Sequence, residues 1–139
     1  MMNPEIKTRW VAWLRANADK QSQGRLQRVT DIGDSLRAGF CCLGGLCELA
    51  VEDGIIERKL CTDPLLDAQM YSYGTNNGGL VPFSWSHTSL PDAVLTWAGL
   101  NSSDPRVRVE GYGFQSLTYV NDNIRLNFNQ IADLIEEQL

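Results

Sequence analysis

The chain has 139 residues, 43% of them apolar and 21% charged, with a formal net charge of −5. That is the size and composition of one ordinary globular domain, and it excludes a disordered tail or a fibrous repeat. Charge is uneven: residues 1–40 hold seven of the twelve Lys/Arg and four of the seventeen Asp/Glu, so a basic start sits on an acidic remainder. An overall acidic chain with no zinc-finger, RNP or Gly-rich phosphate motif makes duplex nucleic acid a poor partner.

In chain order, Asn3-Pro4-Glu5 reads as a helix start. Asn suits the N-cap, Pro the first helical position, and Glu the positive end of the helix dipole. Ile6, Trp10, Trp13 and Leu14 recur at helical spacing, predicting a helix near residues 4–17. Residues 18–37 are polar and ambiguous, with Gly24 and Gly33 as punctuation and Leu26, Val29 and Ile32 as sparse apolar anchors.

The run Phe40 to Val51 is the most distinctive segment. It is too short and interrupted to span a bilayer. Leu43, Leu46, Cys47, Ala50 and Val51 make one apolar helical face, predicting a helix near 42–53 stopped by Gly54. Gly44 and Gly45 fall in its first turn, where each glycine costs about 1 kcal/mol relative to Ala. Their presence calls for a close backbone approach there, by another element or by a ligand.

Residues 60–90 read as loop-rich around the turn signal Asn76-Asn77-Gly78-Gly79. Met70 to Tyr73 and Leu80 to Trp85 are candidate hairpin partners, with Pro82 demoting the second to an edge. Pro91 opens a short helix near 91–98 closed by Gly99. Arg106-Val107-Arg108-Val109 alternates with period two, as does part of Phe114 to Val120, with Gly111-Tyr112-Gly113 as the turn. Asn127 with Gln130 makes a capping-box pattern for a last helix near 127–138, with Phe128, Ile131, Leu134, Ile135 and Leu139 as its buried stripe.

The expected fold is therefore α+β and helix-dominated: a single compact domain, residues 1–139, of about four helices with one or two small β-hairpins. Its core is expected around Trp10, Leu14, Phe40, Leu43, Leu46, Leu49, Trp97, Ile131 and Ile135. The four Trp and four Tyr residues are read mainly as core, Tyr112 and Tyr119 among them.

Three segments carry a resemblance. They are Asn3-Pro4-Glu5-Ile6-Lys7 to Trp13-Leu14-Arg15; Phe40-Cys41-Cys42-Leu43-Gly44 with Leu46-Cys47-Glu48-Leu49; and Asn121-Asp122 with Phe128 to Glu136. Leu90-Pro91 to Trp97-Ala98-Gly99-Leu100 is a weaker fourth. Together they resemble an uncharacterised family of small proteins encoded by tailed bacteriophages and prophages. The resemblance implies a phage setting, an accessory role, and the cytoplasm of the infected bacterial cell. It carries no established activity and hence no catalytic residue. The chain departs from the family pattern at Gly45, where an aliphatic residue is expected, and in a polar insertion around residues 30–38.

Four readings of function follow from the residues. In the first, Arg25, Arg28 and Arg37 lie on a loop beside the Gly44-Gly45 helix start and cradle a small anion or nucleotide, with Tyr73 and Trp85 stacking on a base or filling a partner's pocket. The chain is then a non-enzymatic counter-defence protein that sequesters such a ligand or a host protein. In the second, Cys42 at a helix start, His87 as base and Asp122 as its orienter make a cysteine hydrolase or transferase. The third is an assembly factor acting as a homo-oligomer. The fourth is an acidic body, with Asp133, Glu136 and Glu137 on its tail helix, that mimics nucleic acid or engages a basic host protein. Cys41, Cys42, Cys47, Cys61 and His87 lack the close paired spacing of a zinc site, so no metal and no cofactor is expected. With no export signal after Met1-Met2-Asn3-Pro4-Glu5, the four cysteines are expected to be reduced thiols.

Overall fold

The structure is a computed structural model that describes residues 2–32, 35–63, 68–75 and 85–139. The side chains of 30–32, 35–38, 63, 68 and 69 also lie outside the described part. Helix α1 spans Pro4–Ala16, and the Asn3 side-chain oxygen accepts from the amides of Glu5 and Ile6 at 3.0 and 3.5 Å. Its Ile6, Trp10, Val11 and Leu14 are buried, as a 3.6-residue period requires.

The ambiguous stretch after α1 resolves into a single 3-10 turn, Ala18–Lys20, and two strands. Strands β1 (Gln27–Ile32) and β2 (Ser35–Phe40) pair antiparallel from Gln27↔Phe40 to Ile32↔Ser35. Helix α2, Cys42–Glu52, follows at once. It is buried nearly all round, not on one face alone: Cys42, Leu43, Gly44, Gly45, Leu46, Cys47, Leu49 and Ala50 are all inside.

Strand β3 (Glu57–Asp63) had no signal in the sequence, and β4 (Ala68–Gly74) pairs with it from Glu57↔Gly74 to Asp63↔Ala68. On its other side β4 pairs with β1 through Gln27↔Tyr71 to Val29↔Gln69, giving a four-stranded antiparallel sheet in the order β2-β1-β4-β3. The Met70–Tyr73 strand thus takes β1 and β3 as partners; its expected partner is the run 80–85. Of that run only Trp85 is described, and it precedes an isolated bridge between Tyr73 and Ser86. The turn expected at residues 76–79 lies outside the described residues.

Helix α3 runs Asp92–Ala98 and ends on Gly99 in the left-handed region, φ 72°. Strands β5 (Arg106–Val109) and β6 (Gly113–Ser116) form the second hairpin as expected. The strand stops at Ser116, short of Val120. There the Ser116 hydroxyl accepts from the Tyr119 amide, and the chain turns into the one-turn helix α4, Leu117–Tyr119. A π-turn, Val120–Ile124, follows and closes on Arg125 at φ 62°. Helix α5, Phe128–Gln138, has the full capping box: Gln130 donates its amide to Asn127 Oδ1 at 2.9 Å, and the Asn127 amide donates to Gln130 Oε1 at 3.0 Å.

The result is α+β with five helices and two antiparallel sheets among the described residues, against the expected four helices and one or two small hairpins. The core has α2 at its centre, with α1 and α5 packed on each other. All the expected core residues are buried except Trp97, which is half-buried against the cluster. Among the described residues no helix is long and apolar enough to cross a membrane.

Candidate functional site

The head of α2 is where sequence reasoning placed the chemistry. Gly44 and Gly45 do mark a close approach, and the approaching groups are the protein's own. A Cβ at Gly44 would stand 1.9 Å from the Leu26 carbonyl oxygen, and one at Gly45 would stand 2.3 Å from the Trp13 ring. Trp13 sits edge-on to Phe40 at 5.1 Å, and Trp10 donates its indole N–H to the Cys42 carbonyl at 2.9 Å. No room is left at these glycines for a phosphate.

The thiols share that packing. Cys42 is fully buried and donates to the Leu117 carbonyl at 3.5 Å. Burial pushes its thiol well up from the ordinary range, with Cys41, Asp104 and Asp122 adding to the effect, and burial does the same to Cys47. Cys41 occupies the N-cap of α2, where the amides of Gly44 and Leu43 favour a thiolate. Burial outweighs them and, with Asp122 and Asp104 nearby, pushes Cys41 up to about 12. A nucleophilic cysteine needs the opposite shift. His87 lies half-buried on the segment before α3, and its carbonyl accepts from the Leu26 amide at 2.8 Å. Among the described residues no hydrogen bond joins the side chains of Cys42, His87 and Asp122. Nor is any cluster of three His, Cys, Asp or Glu placed to hold a metal.

One cleft does open beside the α2 N-cap. It has a volume of about 270 Å³, and Arg25, Cys41, Ser89, Asp104, Thr118 and Asp122 contribute to its wall. It therefore gathers one residue from each of three sequence-based groupings: Arg25, Cys41 and Asp122. Its charge is the reverse of the expected anion cradle. Asp104 accepts from the Thr118 amide at 3.1 Å and from the Thr118 hydroxyl. Asp122 accepts from the Asn121 amide group at 2.8 Å. The Arg25 guanidinium donates to the Gly24 carbonyl at 2.6 Å, and Arg28 donates to the Gln23 carbonyl at 2.8 Å. The arginines thus bind their own loop, and two carboxylates face the cleft against one guanidinium. The Arg37 side chain lies outside the described residues; its backbone is in β2.

Tyr73 and Trp85 do not form a stacking platform. Tyr73 is fully buried, and its hydroxyl lies 2.6 Å from Gln27 Oε1 and 2.9 Å from Glu48 Oε1. One phenol proton cannot serve two acceptors. A Gln27 amide turned to donate from its nitrogen satisfies both contacts. Arg58 closes the group on Glu48 at 2.8 and 3.0 Å, pinning the sheet to α2. Trp85 is half-buried beside this region.

The surface that sequence reasoning missed is the β5–β6 hairpin. The period-two burial of β5 puts Val107 and Val109 inside and Arg106 and Arg108 outside. Register places Ser116 opposite Arg106 and Phe114 opposite Arg108, so these share the outer face. Phe114 is 56% exposed, and Tyr112 in the turn 55%. The Arg108 guanidinium lies 5.9 Å from the Phe114 ring centroid. Tyr119, one helical turn past the hairpin, is 43% exposed. Tyr112 and Tyr119 were expected in the core. The alternation Arg-Val-Arg-Val carried the signal, since it already assigns the arginines and their cross-strand neighbours to solvent.

The family model described as a domain of unknown function (DUF8296) matches residues 2–139. The chain belongs to this family. No curated protein and no solved structure matches it. The DUF8296 match covers both the sealed head of α2 and the aromatic hairpin, and both lie in well-anchored parts of the chain. Gln138 of α5 clamps the outer edge of β5: the Arg108 amide donates to its Oε1 at 2.7 Å, and its Nε2 donates to the Arg108 carbonyl at 2.9 Å.

Proposed function

We propose that this chain is a non-enzymatic accessory protein of phage origin that works in the cytoplasm of the infected bacterial cell by binding a host protein. The phage setting rests on the resemblance of the NPEIK start, the FCCLG segment and the IADLIE end. The observation that carries the binding role is the hairpin. Two aromatic rings and two guanidiniums stand in solvent on a strand pair that α5 holds still. Tyr and Arg are the residue types that dominate binding energy at protein interfaces, and a rigid frame spares the entropy of ordering them.

The competing readings have less support. A cysteine hydrolase needs an accessible thiolate, and Cys42 is buried with its proton held. A nucleotide pocket needs converging cations, and the cleft beside Cys41 presents Asp104 and Asp122. The test is affinity capture of the tagged chain from host cells against a tag-only control. The expected outcome is one or a few host proteins enriched in stoichiometric amount. Enrichment of nothing beyond control, together with rapid alkylation of Cys42 in the native protein, would reverse the assignment in favour of an enzyme.

A further inference from the structure

We infer that the outer face of the β5–β6 hairpin, formed by Arg106, Arg108, Tyr112 and Phe114, docks an acidic segment of a partner protein that carries apolar side chains between its carboxylates. This rests on the binding role proposed above and names the surface and the chemistry of the partner.

The first ground is charge. Among the described residues Arg106 and Arg108 make no ion pair, whereas Arg9, Arg15 and Arg58 each hold a carboxylate of the chain itself. Two guanidiniums two residues apart on one strand face project side by side, at the spacing at which an extended acidic segment offers successive carboxylates. Guanidinium is suited to this because its planar fork meets a carboxylate with two parallel hydrogen bonds. The Phe114 ring under Arg108 holds that fork in place while its N–H edges stay available.

The second ground is apolar surface. Tyr112 and Phe114 gain nothing for the fold by standing more than half exposed, since Val107 and Val109 supply the buried side of the hairpin. Glycines at 111 and 113, with φ of 84° and 76°, let the turn lift Tyr112 clear of the body, and nothing lies within 4 Å of either glycine's missing Cβ. A purely polyanionic partner would leave both rings unused. An acidic segment with interspersed Leu or Phe engages rings and guanidiniums together.

The third ground disfavours two other occupants. A second copy docked hairpin to hairpin about a two-fold axis would set Arg106 and Arg108 against their own images. A nucleic-acid strand carries a phosphate at every step and so must bring one past Glu110, which stands exposed at the same turn, whereas an acidic segment with interspersed apolar residues can set an uncharged side chain there.

The test uses the whole chain and fluorescence anisotropy. The probes are short synthetic peptides in which Glu and Asp alternate with Leu and Phe, the same peptides with Lys for the acids, oligoglutamate, and a single-stranded oligothymidine. The variants are Arg106→Glu with Arg108→Glu, and Tyr112→Ser with Phe114→Ser. The expected result is binding of the acidic-apolar peptides that weakens with salt and falls by about tenfold or more in each double variant. The melting temperature should stay unchanged, because all four side chains are exposed. Equal binding by wild type and both variants would overturn the inference. So would stronger binding of the oligothymidine than of the acidic peptides, or concentration-dependent dimerisation that the charge reversal abolishes. Capture from host cells separates this inference from the broader one. If the variants retrieve the same host proteins as wild type, the chain binds a partner through another face. If wild type itself retrieves none, the binding role fails as a whole.

Discussion

A methyl group at Gly44 would overlap the Leu26 carbonyl, and one at Gly45 would overlap the Trp13 ring. In most helices Gly→Ala is stabilising by up to about 1 kcal/mol. Here the sign reverses. Gly44→Ala is expected to destabilise by roughly 2–4 kcal/mol, because the obstacle is backbone, and Gly45→Ala by about 1–3 kcal/mol, because a ring can tilt. Urea denaturation checks both, and a gain in stability at Gly44 would show that the helix head is open. The same packing governs the thiols. Cys41 has its pKa raised from 9.0 to about 12, so the fold favours its protonated form. The resulting stability is fully present below pH 9 and is lost as pH rises from about 9 towards about 12. Melting temperature should fall across that window, and Cys41→Ala should flatten the fall; an unchanged slope would contradict burial of the thiol. At this scale the sequence was informative about caps and close approaches. Asn3, Gly99 and the Asn127/Gln130 pair do what their types and spacing indicate. The two glycines announced a contact without naming its maker, because Leu26 and Trp13 reach them only through the tertiary fold.

At the scale of elements, the helices were legible and the large sheet was not. Helices α1, α3 and α5 carry their own start residues in Asn3-Pro4, Pro91 and Asn127, and α3 its stop in Gly99, so these ends are written locally. Strand β3 reads Glu-Arg-Lys-Leu-Cys-Thr-Asp, with no apolar alternation, since it is a sheet edge exposed through Glu57–Leu60. It pairs with the next strand, β4, but β4 also pairs with β1 about forty residues earlier, and no local pattern encodes that choice. Strand β5 was legible because four residues alternate cleanly over a buried floor. Its position rests on Gln138. Gln138→Ala is expected to lower stability by about 1 kcal/mol and to speed hydrogen exchange at the Arg108 amide. Exchange that stays unchanged would mean that β5 is held by its valines alone. Asn127→Ala should remove the α5 cap at a cost of about 1 kcal/mol, seen by thermal melts.

For the whole molecule, the residues that look most chemical sit deepest, and those that look most ordinary face solvent. Thiols, glycines and the Tyr73–Glu48 group tie α2 to α1 and to the sheet. Arg9 with Asp53, and Arg15 with Asp133 and Glu136, lace the exposed exterior of the helices, and pairs of that kind add little to stability. The acidic residues of α5 are thus partly engaged in holding α1, whereas the hairpin, among the described residues, sets two guanidiniums without ion pairs beside two exposed rings. The candidate site was half legible for this reason: sequence reasoning ranks residues by chemical type, and burial then decides which of them meet anything outside. The direct measurement is partner retention by three forms of the chain in one capture experiment: wild type, Arg106→Glu with Phe114→Ala, and Cys42→Ala. Retention by Cys42→Ala and loss by the hairpin variant, both folded by circular dichroism, is the expected result; loss by Cys42→Ala with full retention by the hairpin variant would contradict it.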